Sequence, residues 1–95
     1  MHLTIAGTGY VGLVAGVCFA HVGHKVTCVD IDPKKVEMLN KGICPIYETD
    51  LEAYLQEGLQ KGLLTFTTDY QRAYRNPDVI FIGVGTPELP DGSAN

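Results

Sequence analysis

Three glycines close together, Gly7-x-Gly9-x-x-Gly12, constrain this chain more than any other feature. Leu3 to Ala6 reads as a short buried strand that runs straight into them. Behind them Val11, Val14, Ala15, Cys18, Phe19 and Val22 recur at helical spacing, as the buried face of a helix. Strand, glycine loop and helix, in that order, form the context in which this spacing binds a dinucleotide. Gly7 makes the tight turn out of the strand, and Gly9, without a Cβ, lets the backbone approach a pyrophosphate. Gly12 lets the helix lie close to the strand. The helix start adds unpaired N–H groups and a partial positive charge for the phosphates.

A membrane reading competes for the same residues. Positions 3–23 carry no Asp, Glu, Lys or Arg, a length that could cross a bilayer, and Gly12-x-x-x-Gly16 has the spacing of a helix-dimer face. Glycines at 7, 9, 12, 16 and 23 argue against one continuous helix. Only His2 precedes the apolar run, where a secretion signal needs basic residues. Neither a membrane span nor a signal peptide is expected.

Ninety-five residues make one small domain near the lower limit of independent folding. The net charge of −4 and the lack of basic runs exclude nucleic acid as the main partner, and there is no polybasic patch for anionic lipid. Cys18, Cys28 and Cys44 are odd in number and widely spaced. They read as small apolar fillers in a reduced, cytosolic chain, not as a disulfide or zinc framework. His2, His21 and His24 have no convergent partners, so no metal site is expected.

Beyond the first helix, Gly23 is a natural stop. Lys25 to Asp30 forms a second strand that ends in an acid about 20 residues past the glycine loop, where a dinucleotide fold needs a carboxylate for the adenosine ribose. That charge repels a 2′-phosphate, which favours NAD over NADP. Asp32 and Pro33 are suited to the N-cap and first position of the next helix, with Val36 and Leu39 on one face and Gly42 as its end. Lys35 lies in the first turn, where the helix dipole disfavours a cation, and reads either as a solvated lysine or as a phosphate or ribose contact.

Cys44 to Glu48 is an irregular connector, after which Thr49-x-x-Glu52 has the form of a capping box. The helix it opens places Leu51, Leu55 and Leu59 along one side with Tyr54 beside them and Gly62 at its end. Leu63 to Thr67 is the third strand, and Thr68-x-x-Gln71 offers a second capping box for a short helix that Asn76-Pro77 breaks. Asp78 to Val84 is the fourth strand, apolar enough for burial on both faces. Gly85-Thr86-Pro87 starts the loop at its carboxyl end.

Strands alternating with helices predict an α/β fold, a Rossmann-like parallel sheet truncated to four strands in the order 3-2-1-4 with flanking helices. The ligand crevice then falls between strands one and four, where the winding reverses. Gly7 to Gly12, Asp30 and Gly83 to Thr86 (Gly85 included) converge there from three segments. Only the first mononucleotide half of such a fold is present.

Together these motifs resemble a known family. Gly-Thr-Gly-Tyr-Val-Gly-Leu (7–13), Val-Asp-Ile-Asp (29–32) with Lys35-Val36, Pro-Ile-Tyr-Glu (45–48), Phe-Thr-Thr-Asp (66–69) and Val-Gly-Thr-Pro (84–87) are similar to the start of the UDP-glucose/GDP-mannose dehydrogenases, the UDP-glucose 6-dehydrogenases in particular. The related β-hydroxyacid dehydrogenases share the glycine loop but not Pro-Ile-Tyr-Glu or Val-Gly-Thr-Pro. The resemblance implies that Tyr10, Val11, Asp30, Lys35 and Thr86 contact NAD. It also implies two successive NAD-dependent oxidations of a nucleotide-sugar alcohol, through a cysteine well downstream of Asn95. None of Cys18, Cys28 and Cys44 falls in a matching motif. One departure is visible: the family usually has Pro-Gly after the acid of Pro-Ile-Tyr-Glu, and Thr49-Asp50 stand here, so substrate-side roles for Tyr47 and Glu48 are left open. A stand-alone NAD-sensing module, or a dehydrogenase of GDP-mannose or a UDP-N-acetyl sugar, fits the same residues. An uncovered fourth strand further predicts self-association.

Overall fold

The computed structural model describes residues 1–45, 50–75 and 77–82. In chain order the elements are β1 (His2–Ala6), α1 (Tyr10–His21), β2 (Lys25–Val29), α2 (Pro33–Asn40), α3 (Leu51–Gln60), β3 (Leu64–Thr67), α4 (Tyr70–Ala73) and β4 (Val79–Ile82). The strands form one sheet in the order β3-β2-β1-β4, every pair parallel, as the alternating pattern predicts.

Alternation along the strands sorts the two faces. Ile5, Val26, Cys28 and Leu64 meet α1 and α3, whose glycines approach them closely, and Leu3 and Phe66 belong to the same buried core. The intervening residues Thr4, Thr27, Thr65 and Thr67 are polar. Thr4 is buried on that second face and its hydroxyl donates to the Ala73 carbonyl of α4 at 2.8 Å, so its burial leaves no unpaired group.

The face that α1 presents to the sheet differs from the one its sequence predicts. Gly12, Leu13, Gly16, Val17 and Ala20 are buried, while Val11, Cys18 and Val22 are exposed and Val14 and Phe19 only half-buried. The helix is apolar on every side, so hydrophobic period alone does not fix its rotation. Small residues do: Gly12 and Gly16 bring the helix axis close to β1 and β2, and Ala20, four further on, faces Gly58 of α3. The Gly12-x-x-x-Gly16 spacing is therefore used inside the domain. Cys18 is not the filler it was expected to be, but Cys28 is, and burial pushes its thiol up to about 12. No helix among the described residues is long and apolar enough to cross a membrane.

Helix ends follow local chemistry with small shifts. Gly23 ends α1 with φ +109, and Gly42 and Gly62 follow α2 and α3. Asp32 caps α2 by accepting from the Lys34 and Lys35 N–H groups, with Pro33 in the first position as expected. α4 is capped by Asp69 and not by Thr68, because the Asp69 carboxylate accepts from the Arg72 N–H at 3.1 Å while the Thr67 hydroxyl accepts from the Asp69 N–H. The N-cap of α3 is Asp50, one residue past the predicted Thr49; Thr49 itself, with Tyr47 and Glu48, lies outside the described residues.

The outer strands end the sheet differently. On β3 the Asn40 side chain donates to the Phe66 carbonyl at 2.9 Å and accepts its N–H at 3.1 Å, closing the edge with an amide. On β4 all four residues are exposed, Val79 44%, Ile80 47%, Phe81 37% and Ile82 72%, in place of the burial on both faces that their apolar run predicts. Among the described residues strand four is paired on one side only, with β1.

Candidate dinucleotide-binding site

At the carboxyl end of β1 the chain turns at Gly7, whose φ of +95 is one that side-chain-bearing residues rarely adopt. Its N–H donates to the Val29 carbonyl at 2.8 Å, which ties the loop to the end of β2. Gly9 is the N-cap of α1, and no side chain caps that helix. By contrast α2 and α4 are capped by Asp32 and Asp69. The start of α1 therefore turns the positive end of its dipole to the loop, with no acidic residue in the first turn to oppose an anion. Tyr10 and Val11 stand exposed in that first turn, at 57% and 60%. Gly12 is buried behind it.

Asp30 follows β2 immediately and is brought to the same loop. Its Oδ2 accepts the Thr8 N–H at 3.2 Å and the Thr8 hydroxyl, and its Oδ1 accepts the Asp32 N–H at 3.0 Å. Lys35 Nζ, from the first turn of α2, lies 3.7 Å from Oδ2. That settles the placement of Lys35, which lies at the site beside the acid. Burial opposes charge on Asp30, but the Thr8 hydroxyl, the Asp32 and Thr8 N–H groups and Lys35 outweigh it and hold the carboxyl below its ordinary value. The acid is thus ionised and oriented at neutral pH, ready to accept from sugar hydroxyls.

Beside Asp30 opens a cleft of about 300 Å³, floored by Ala6, Gly7 and Val29 and walled by Ile31, Thr68, Tyr70 and Tyr74. A larger hollow of about 420 Å³ lies among His2, Lys25, Thr27 and Thr65 and contains no residue of the loop or the acid cluster. Of these two, the smaller cleft is the one lined by Gly7 of the loop and by Asp30. Sequence reasoning missed Thr8, an unspecified position of the glycine motif, and missed the Thr68, Tyr70 and Tyr74 wall. The strand order carried the second signal, because it places the end of β3 next to the end of β2. Gly85 and Thr86, with Gly83, lie outside the described residues.

Residues 1–95 match the NAD binding domain of the UDP-glucose/GDP-mannose dehydrogenase family. The chain belongs to that family. It is similar to the UDP-glucose 6-dehydrogenase YwqF of Bacillus subtilis (strain 168), 48% identical over the whole of this chain and 22% of that protein. The UDP-glucose 6-dehydrogenase of Rickettsia prowazekii (strain Madrid E) matches with the same identity and coverage. Among solved structures, a ternary complex of GDP-mannose dehydrogenase from Pseudomonas aeruginosa superposes with a TM-score of 0.94 at 44% identity, covering 100% of this chain and 22% of that one. A UDP-glucose dehydrogenase from the archaeon Pyrobaculum islandicum superposes with a TM-score of 0.90 at 45% identity, covering 98% and 22%. The chain thus spans about a fifth of the length of the relatives it matches, and that fifth is their NAD-binding part, with the parallel 3-2-1-4 sheet the sequence predicts.

Proposed function

We propose that this chain is the first mononucleotide half of the cofactor domain of a cytosolic nucleotide-sugar dehydrogenase that oxidises UDP-glucose to UDP-glucuronate. Its sugar-binding and catalytic groups then lie outside residues 1–95. The observation that carries the reading is the bond network joining Thr8 of the glycine loop, Asp30 and Lys35 at the uncapped start of α1. Gly7, Gly9 and Gly12 shape the loop, and the N–H groups of the first turn, at Tyr10 and Val11, face the pyrophosphate. Asp30 accepts from the adenosine ribose, with Lys35 beside it, and the cleft between Ile31 and Tyr70 takes the adenine. Gly85 and Thr86, next after Gly83 and Val84 in the sequence, complete the set of cofactor contacts. When bound, NAD supplies the hydride acceptor, and the residues named here hold and orient it. The open edge of β4 belongs to the same reading: where nothing covers it, the chain self-associates through it.

Titration with NAD and NADP tests the site. Asp30→Ser should weaken NAD by about 1–3 kcal/mol through the loss of charge-assisted hydrogen bonds, while NADP gains relative to it. Equal NAD affinity in wild type and variant would remove Asp30 from the ribose.

A further inference from the structure

We propose that Thr8 is a positioning residue that aims Asp30 at the cofactor ribose and thereby sets the preference for NAD over NADP. The inference rests on the reading of Asp30 as the ribose acid. Thr8 is 1% exposed, although it stands in a loop between two glycines. Its buried hydroxyl donates to Asp30 Oδ2, and its N–H donates to the same oxygen at 3.2 Å. The other hydrogen bond to this carboxylate, from the Asp32 N–H, comes from two residues along the same loop and moves with it. The Gly7 N–H to Val29 carbonyl bond joins the two backbones, and Thr8 is the side chain that reaches from the β1 loop to the carboxylate itself, so it fixes the ribose acid relative to the phosphate site.

An ionised carboxylate offers about four acceptor positions. Three are taken by Thr8 and Asp32, and Lys35 lies against the doubly bonded Oδ2. The remaining position, on Oδ1, is the one left for a ribose hydroxyl. A carboxylate held this way cannot swing aside for a 2′-phosphate, so the ester meets a fixed negative charge. Without the hydroxyl the acid gains rotational freedom, which costs affinity for the ribose diol and relaxes the penalty against the phosphate.

The test compares Thr8→Val, Thr8→Ala and Thr8→Ser with wild type, reading NAD and NADP affinities and the acid titration of the Asp30 carboxyl by NMR. Both variants without a hydroxyl should lower the NAD-to-NADP affinity ratio about tenfold, the loss of a hydrogen bond to a charged group. Their Asp30 midpoint should rise, since a bond to the ionised form is gone. Thr8→Ser should keep the wild-type ratio and midpoint. Should one hydroxyl-free variant fail to fold, the other carries the comparison. An unchanged ratio without the hydroxyl overturns the proposal, as does a Thr8→Ser variant that shifts it as far as Thr8→Ala. An Asp30 midpoint indifferent to the hydroxyl overturns it even with no cofactor present. Asp30→Asn separates the two readings: if it leaves the ratio at the wild-type value, the ribose assignment itself fails.

Discussion

A Cβ placed on Gly12 would lie 2.1 Å from the carbonyl oxygen of Gly7. The helix start and the turn out of β1 are in backbone contact, and only hydrogen fits between them. At Gly16, one turn on, the obstruction is a side chain: the added Cβ would meet Cys28 Sγ at 2.7 Å. Gly12→Ala should therefore cost about 3 kcal/mol or more, because the loop must move, and Gly16→Ala about 1–3 kcal/mol. The second cost is relievable. Cys28→Ala removes the blocking sulfur, so the Gly16→Ala/Cys28→Ala pair should be about 1 kcal/mol more stable than the sum of its single changes. Urea unfolding of the four proteins checks it, and strict additivity would mean that Gly16 is not held against Cys28.

Gly9 is needed for a different reason than Gly7. Its φ of −67 and ψ of −173 are open to any residue, whereas Gly7 stands at φ +95. Gly9→Val should leave the fold and its unfolding midpoint nearly unchanged and abolish NAD binding, because the branched side chain occupies the space of the pyrophosphate approach. Calorimetric titration with NAD beside a thermal melt separates the two effects. Unchanged NAD affinity would count against the loop assignment.

Asp50 occupies the place where similar sequences usually have the glycine of Pro-Gly, and its φ is +68. The conformation is left-handed, the one that glycine adopts without steric cost. Aspartate tolerates it better than most residues, but an L side chain there still costs roughly 1–2 kcal/mol, offset in part by the greater freedom of glycine in the unfolded chain. Asp50→Gly should raise stability by about 0.5–1 kcal/mol, measured as a higher melting temperature. A lower one would show that the aspartate carboxylate contributes more than its backbone costs.

What could be read from the sequence was what short-range rules control. Gly7, Gly23, Asp32 and Pro33 each announce a backbone requirement within a few residues, and the strand order follows from alternation and crossover rules. Asp30 and its place beside the glycine loop came from spacing in the same way. The rotation of α1 did not, because a helix apolar on all sides has no preferred face until small residues meet a neighbour, and Gly12 and Gly16 meet β1 and β2, and Ala20 meets Gly58 of α3, only in three dimensions. Thr8 was hidden for a similar reason: its partner follows another strand, and the motif leaves its position unspecified. Asp69 displaced Thr68 as a cap because two good cap residues stand side by side and only packing of α4 chooses between them.

The two edges of the sheet lead to the last prediction. Asn40 occupies the N–H and C=O of Phe66 on β3, which interrupts that edge as a template. Among the described residues nothing pairs with the outer edge of β4, and its Val-Ile-Phe-Ile sequence has no lysine or proline to discourage a second chain. Phe81 packs edge-on against Phe19 of α1 with ring centroids 6.3 Å apart, while Ile80 and Ile82 stay 47% and 72% exposed. Apolar side chains on an unpaired strand gain both hydrogen bonds and burial by meeting a copy of themselves. The chain should therefore associate with rising concentration, and Ile80→Lys should shift it toward monomer by adding a charge that pairing would have to bury. Sedimentation velocity across a concentration series, wild type beside Ile80→Lys, reads both effects. A monomer at every concentration, indifferent to the lysine, would mean that the outer edge of β4 is already covered and the exposure described here does not persist in solution.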